Sequence, residues 1–204
     1  KARNWTSVMI ALSQRLALVF MILALGACGT TMKIEDFANK EPKLIPEEYF
    51  AGEMKAWGLF QDRSGTVKRQ FVVDINASWD GDKLTLVEDF TYDDGETEQR
   101  TWVLEKQSEG RYTGTAGNVV GPAIIEVAGN AMNLRYTFDL EAGGKTYRVD
   151  FDDWMFLQPD GQRMINRATV SKFGIRVGEV TVFFDKQPDA VAAPNRVDML
   201  QAAE

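Results

Sequence analysis

The 204-residue chain has no histidine and only one cysteine. Without histidine, Ser-His-Asp and Cys-His nucleophilic sites are excluded, and the commonest zinc ligand is missing. One cysteine allows no internal disulfide, so burial has to hold the fold. Neither a G-x-x-x-x-G-K-[ST] nor a G-x-G-x-x-G phosphate loop occurs. Basic residues are few: 23 Lys and Arg against 30 Asp and Glu, a net charge of −7. Lys1, Arg3 and Arg15 all precede the cysteine, so from Cys28 onward 20 basic residues face 30 acidic ones, a net −10. Nucleic acid calls for a basic footprint, so it is not an expected partner. Electrostatic adhesion to anionic lipid is disfavoured for the same reason.

The cysteine lies in "RLALVFMILALGACGT", residues 15–30. The apolar run Leu16–Leu25 is ten residues long, well short of the about 20 a helix needs to cross a bilayer. With Arg15 as its positive flank, it fits the h-region of a secretory signal. Leu25-Gly26-Ala27-Cys28 resembles the lipobox of bacterial lipoproteins, in which the cysteine is acylated and becomes the mature N-terminus. That resemblance implies a signal peptide over 1–27, a lipid on the Cys28 thiol and a membrane partner reached through that lipid. Gly29 follows, where Asp tends to hold such proteins at the inner membrane, so the implied address is the outer membrane facing the periplasm. The other reading is a buried apolar helix with an incidental cysteine. Residues 28–48 are polar, carry Pro42 and Pro46, and read as a lipidated tether. Residues 187–204 read as a flexible tail.

Between tether and tail, apolar residues alternate. Val67, Phe71, Val73, Ile75, Ala77 and Trp79 share one face of a strand. Met132, Leu134, Tyr136, Phe138 and Leu140 share another, and Tyr147, Val149, Phe151, Met155 and Leu157 a third. Period two marks half-buried antiparallel strands. Turn signals such as Asp80-Gly81, Asp94-Gly95, Gly143-Gly144 and Asp160-Gly161 punctuate them. No helical period separates them, which disfavours parallel βαβ units. Hairpin-linked strands must hide their edges. The expected fold is therefore all-β, an antiparallel up-and-down barrel of about 8–10 strands over residues 49–186. A two-sheet sandwich is the alternative.

"AWGLFQDRSG" (56–65), "EDFTYDDGETEQRTW" (88–102), "FDDWMFLQPDG" (151–161) and "NRATVSKFGIRVGEVTVFF" (166–184) resemble the motifs of a family of uncharacterised bacterial lipoproteins. The resemblance implies a barrel similar to the lipocalin or calycin type and no particular chemistry. Gly52 and Trp57 stand too far apart for the lipocalin G-x-W.

The informative positions are polar residues on apolar faces. Glu88 is in phase with Leu86 and Phe90, and Arg100 with Trp102 and Leu104. A three-residue loop Asp93-Asp94-Gly95 pairs Tyr92 with Glu96. On that register Glu88 is expected opposite Trp102 and Arg100 opposite Phe90, making the two charges diagonal neighbours. A four-residue loop Gln158–Gly161 is expected to place Asp153 opposite Asn166 on the inner side. It would place Asp152 opposite Arg167 on the outer side, beside Trp154.

Glu88, Arg100, Trp102, Tyr136, Asp153 and Asn166 are thus the candidate ligand-binding residues: polar anchors with aromatic walls in an apolar barrel. The ligand expected there is small and apolar or amphipathic; neither cofactor nor metal is implied. A Glu88–Arg100 pair that only sets strand register is the competing reading. Glu88 and Asp153 as an acid–base pair of a hydrolase is a further one. A solid barrel serving envelope maintenance or protein interaction also remains open. The acidic run Asp93, Asp94, Glu96, Glu98 lacks EF-hand spacing and reads as a solvated turn.

Overall fold

The computed structural model describes residues 32–186. Cys28, the expected signal over 1–27, the start of the expected tether and the expected tail from 187 lie outside that range. Ten strands follow one another: β1 (Gly52–Asp62), β2 (Val67–Trp79), β3 (Lys83–Tyr92), β4 (Thr97–Ser108), β5 (Arg111–Thr115), β6 (Val119–Ala128), β7 (Ala131–Ala142), β8 (Lys145–Leu157), β9 (Arg163–Lys172) and β10 (Ile175–Asp185). Each pairs antiparallel with its sequence neighbours. β1 also pairs with β10, from Lys55↔Asp185 to Asp62↔Gly178. The sheet is a closed up-and-down barrel, so no strand edge is left unpaired; the sandwich is set aside.

Alternation assigns the faces. Along β2 the buried Val73, Ile75 and Ala77 point in, while Asp74, Asn76 and Ser78 point out and are exposed. The inward residues form two apolar clusters. The larger holds Met54, Leu84, Leu104, Ile125, Met132 and Met164 among others. The smaller is built on Phe138, Val149 and Val170. Val119, Tyr136 and Val180 pack against both.

The chain ahead of the barrel corrects the tether expectation. From Ile34 on, it is packed rather than free. A 3₁₀ turn, Ile34–Phe37, lies on the outer wall, where Phe37 meets the rings of Trp154 and Phe156 at 5.8 and 5.3 Å. One short helix, α1 (Pro46–Tyr49), then closes one end of the barrel. Leu44, Tyr49 and Phe50 are buried within the larger cluster. Glu47 bonds both the Lys106 ammonium and the Tyr112 hydroxyl, the latter at 2.6 Å, and Tyr49 donates to the Gln162 carbonyl at 3.2 Å. Lys186 donates to the carbonyls of Glu48 and Ala51, both at 3.0 Å. The β1–β2, β3–β4, β5–β6, β7–β8 and β9–β10 hairpins gather at the opposite end, which no described helix crosses.

Gly129 lets the N-terminal segment lie this close. Its φ is +52°, and an added Cβ would stand 1.8 Å from the Phe37 carbonyl oxygen. Its own carbonyl accepts from Leu44 N–H at 2.7 Å. A Gly129→Ala substitution meets both the left-handed backbone penalty of about 1–2 kcal/mol and backbone atoms that have no rotamer to yield. We expect a loss of about 1–3 kcal/mol and faster proteolysis over residues 34–44. Native-state hydrogen exchange checks this: unchanged protection there would mean the segment is held independently of Gly129.

Candidate functional site

Between the two apolar clusters the inward positions turn polar. Glu88 comes from β3, Glu98 and Arg100 from β4, Tyr136 from β7, Asp153 from β8 and Asn166 from β9. Six residues named from sequence, Glu88, Arg100, Trp102, Tyr136, Asp153 and Asn166, are brought to the inner wall. Tyr136 rests its edge on Trp102 at 5.3 Å and stacks flat on Phe151 at 4.9 Å.

Both expected registers change. Glu88 sits directly opposite Arg100, Leu86 opposite Trp102 and Phe90 opposite Glu98. Tyr92 N–H does bond the Glu96 carbonyl at 3.0 Å, and an antiparallel ladder keeps one constant register from its closing pair. That closing pair therefore requires Glu88↔Arg100 directly across the ladder, not on its diagonal. In the second hairpin, Asp153 lies opposite Ala168, Asp152 opposite Thr169, Trp154 opposite Arg167 and Met155 opposite Asn166. The ladder runs on to Gln158 N–H bonding the Arg163 carbonyl at 2.8 Å, so the loop falls one residue later on each side. A shift of two in pairing keeps every residue on its face. Asp153 and Asn166 consequently still meet, now diagonally, and Asn166 Nδ2 donates to Asp153 Oδ1. Asn166 also donates to the Trp154 carbonyl at 3.2 Å. Trp154 faces outward, is buried under Phe37, and is no part of the lumen wall.

Opposed in register, Glu88 and Arg100 nevertheless form no direct ion pair. Arg100 Nη2 instead donates to Glu98 Oε1 at 2.8 Å. The guanidinium lies 4.8 Å from the Phe90 ring centre and 5.2 Å from that of Phe138. Glu98 also accepts from the Tyr92 hydroxyl at 2.7 Å. Glu98, at the end of the acidic run, is thus partly withdrawn from water, with its side chain 38% exposed. Its phase with Arg100 and Trp102 was the signal that places it inside. Asp94 and Glu96 do remain at the hairpin, where both bond Arg69. Among the described residues no three carboxylates or other donors converge as a metal site.

No described residue donates a hydrogen bond to Glu88, and the same is true of the Tyr136 hydroxyl; only charges act on them. Both occupy inward positions of their strands, and both residues are half-buried rather than fully buried. Burial pushes the Glu88 carboxyl up to about 7; Arg100 opposes this, while Asp153 and Glu98 add to it. Burial likewise raises Asp153 to about 7, against its Asn166 hydrogen bond and with help from Asp152. Tyr136 is driven well above the usual phenol range by burial and by Asp153.

A groove of ≈ 430 Å³ lies on the wall where β6 leaves its register with β7 between Val120 and Ile124. Val120, Pro122, Arg135 and Asp150 line it together with Tyr136 and Phe151 of the inner aromatic group. Glu88, Arg100, Asp153 and Asn166 are not in its lining.

The model of the family described as "Protein of unknown function (DUF3833)" matches residues 22–186. The chain belongs to this family. No curated protein matches. Among solved structures, the S-type phycobiliprotein lyase CPES from Guillardia theta is similar at 10% identity and TM-score 0.43, over 76% of this chain and 96% of that one. The structure of EF1p2_mFAP2b bound to DFHBI is similar at 8% identity and TM-score 0.39, over 69% of this chain and 95% of that one.

The raised carboxyl makes a signed prediction. Glu88 binds its proton more tightly in the folded state than unfolded, so stability falls as pH rises from about 4 to about 7 and is flat above. Glu88→Gln should therefore stabilise the protein at pH 8, by up to about 3 kcal/mol, and leave it unchanged at pH 4. Arg100→Gln should do the opposite at pH 8, costing about 3–5 kcal/mol, because it strands Glu98 and Glu88 together. Denaturant unfolding at the two pH values checks both signs. A Glu88→Gln effect independent of pH would put Glu88 in bulk water.

Proposed function

We propose that the barrel binds a small amphipathic molecule in its lumen, and that the chain is a lipoprotein held in the cell envelope by an acyl group on Cys28. One observation carries the binding reading. Glu88 and the Tyr136 hydroxyl, inward polar groups without a hydrogen-bonding protein partner, share the inner wall with the rings of Trp102, Phe138 and Phe151. A barrel filled only for stability has no use for carboxyls that resist ionisation: apolar side chains of similar volume would do better. Binding sites, in contrast, combine apolar walls with a few placed polar groups. Leu44, Tyr49 and Phe50 pack over one end, so a small molecule would enter from the other.

The anchor reading rests on the sequence alone, on the apolar run and the Leu25-Gly26-Ala27-Cys28 junction. It favours the outer membrane facing the periplasm.

A second reading, a protein-interaction module, draws on the outer wall. Trp57, Phe183 and Ile165 lie side by side on β1, β10 and β9 and are 39%, 38% and 42% exposed. Such a patch on an otherwise acidic surface is a contact feature.

Two experiments test these readings. 1-Aminoanthracene, which fluoresces in apolar surroundings, should bind the full chain at one site. Val180→Phe, which fills a partly accessible inward position, should weaken that binding at least about tenfold, whereas Trp57→Ser should not. Loss on Trp57→Ser alone would move binding to the outer patch. Separately, Cys28→Ser should abolish palmitate labelling and leave an unprocessed precursor. A variant still labelled and sorted normally would remove the anchor.

A further inference from the structure

The lumen's charge census says which headgroup it can accept. At the polar level, carboxyls arrive from β3 (Glu88), β4 (Glu98) and β8 (Asp153), and one guanidinium from β4 (Arg100). β7 and β9 add only the Tyr136 hydroxyl and the Asn166 amide. On the flanking strands, Ile75 of β2 stands opposite Glu88 and Val182 of β10 opposite Asn166, both apolar. Three inward acids on separate strands are therefore balanced by one inward base. That base is already engaged: Arg100 donates to Glu98 and lies against the rings of Phe90 and Phe138. Arg69, nearer the open end, is tied to Asp94 and Glu96 and stacked over Tyr92 at 3.5 Å. Glu88 has no protein donor, and Asp153 has only Asn166 on one oxygen.

An anionic headgroup would enter a field that is already negative. A neutral one would leave two enclosed carboxyls to be held by protons. A cation supplies what both lack, a donor and a compensating charge, in a setting of low dielectric. The surrounding rings also suit a cation. We infer that the natural ligand is an amphipathic amine, its ammonium group seated against Glu88 and Asp153 and its apolar part along the aromatic wall. This rests on the lumen-binding reading and specifies its ligand class.

Binding then competes with protons. The carboxyls titrate near 7, and an ammonium group binds their ionised form. Affinity should rise up to about tenfold per pH unit below 7 and level off above. Glu98, Arg100, Tyr136 and Asn166 face the pair but do not reverse this sign.

The test uses three probes of one chain length, each below its micellar concentration: dodecylamine, dodecanoate and 1-dodecanol. Titration calorimetry with the full chain at pH 8 should show dodecylamine binding at least about ten times more tightly than the other two. At pH 6.5, comparing two buffers of different ionisation enthalpy, it should release about one proton per ligand. The double variant Glu88→Gln, Asp153→Asn should lose the amine preference and the proton release, yet bind 1-dodecanol as before. Tighter binding of dodecanoate or 1-dodecanol would overturn the ligand class while leaving the lumen reading in place. An amine preference that survives in the double variant would place the headgroup elsewhere and overturn the proposal. Failure of all three probes to bind would take the lumen reading down with it.

Discussion

The pairing of β1 with β10 is the constraint on which the rest depends. It closes the sheet, so every strand has two partners and no edge is left to template aggregation. Closure also divides space. Alternate side chains along each strand either meet water outside or meet one another inside, with no third place to go. A polar residue in inward phase cannot be turned out without shifting its whole strand by one residue and exposing the apolar set with it. Glu88, Asp153 and Arg100 are therefore kept inside by their apolar neighbours. The cost appears as two carboxyls that hold their protons to about 7.

The end closure compounds this. Leu44, Tyr49 and Phe50 complete the larger apolar cluster from outside the strand sequence, and Glu47 and Tyr49 bond the barrel rim. Arg100 does not neutralise its cross-strand partner, because Glu98, two residues away on the same strand, captures it first. The competition between one neighbour along the strand and one across it leaves Glu88 as the unsatisfied acid. That imbalance gives the lumen its chemical character.

The fold was largely legible in the sequence. Period-two alternation and glycine turns pointed to about eight to ten hairpin-linked strands because both are local: a strand's face is set by parity and a turn by two or three residues. Parity also found the six inner candidates. Register was less legible. The Asp160-Gly161 loop could close one residue earlier or later without moving any side chain to the other face, so nothing in the alternation distinguished Asp153↔Asn166 from Asp153↔Ala168. The packed segment from Ile34 was missed for a related reason. Its prolines and charges resemble those of a tether, and its apolar residues, Phe37, Leu44, Tyr49 and Phe50, show no period until the barrel surface they cover is known.

What the sequence determined by itself was composition and parity: no histidine chemistry, an excess of acidic residues and which side chains point inward. Those properties belong to single residues or to near neighbours in the chain. Only the tertiary structure decided which inward groups meet. Glu88 and Asp153 are 65 residues apart in sequence, and their shared charge environment exists because closure bends β3 and β8 around one lumen. Electrostatic energy depends on distance through space and on the exclusion of water, and neither quantity is defined until the barrel is shut.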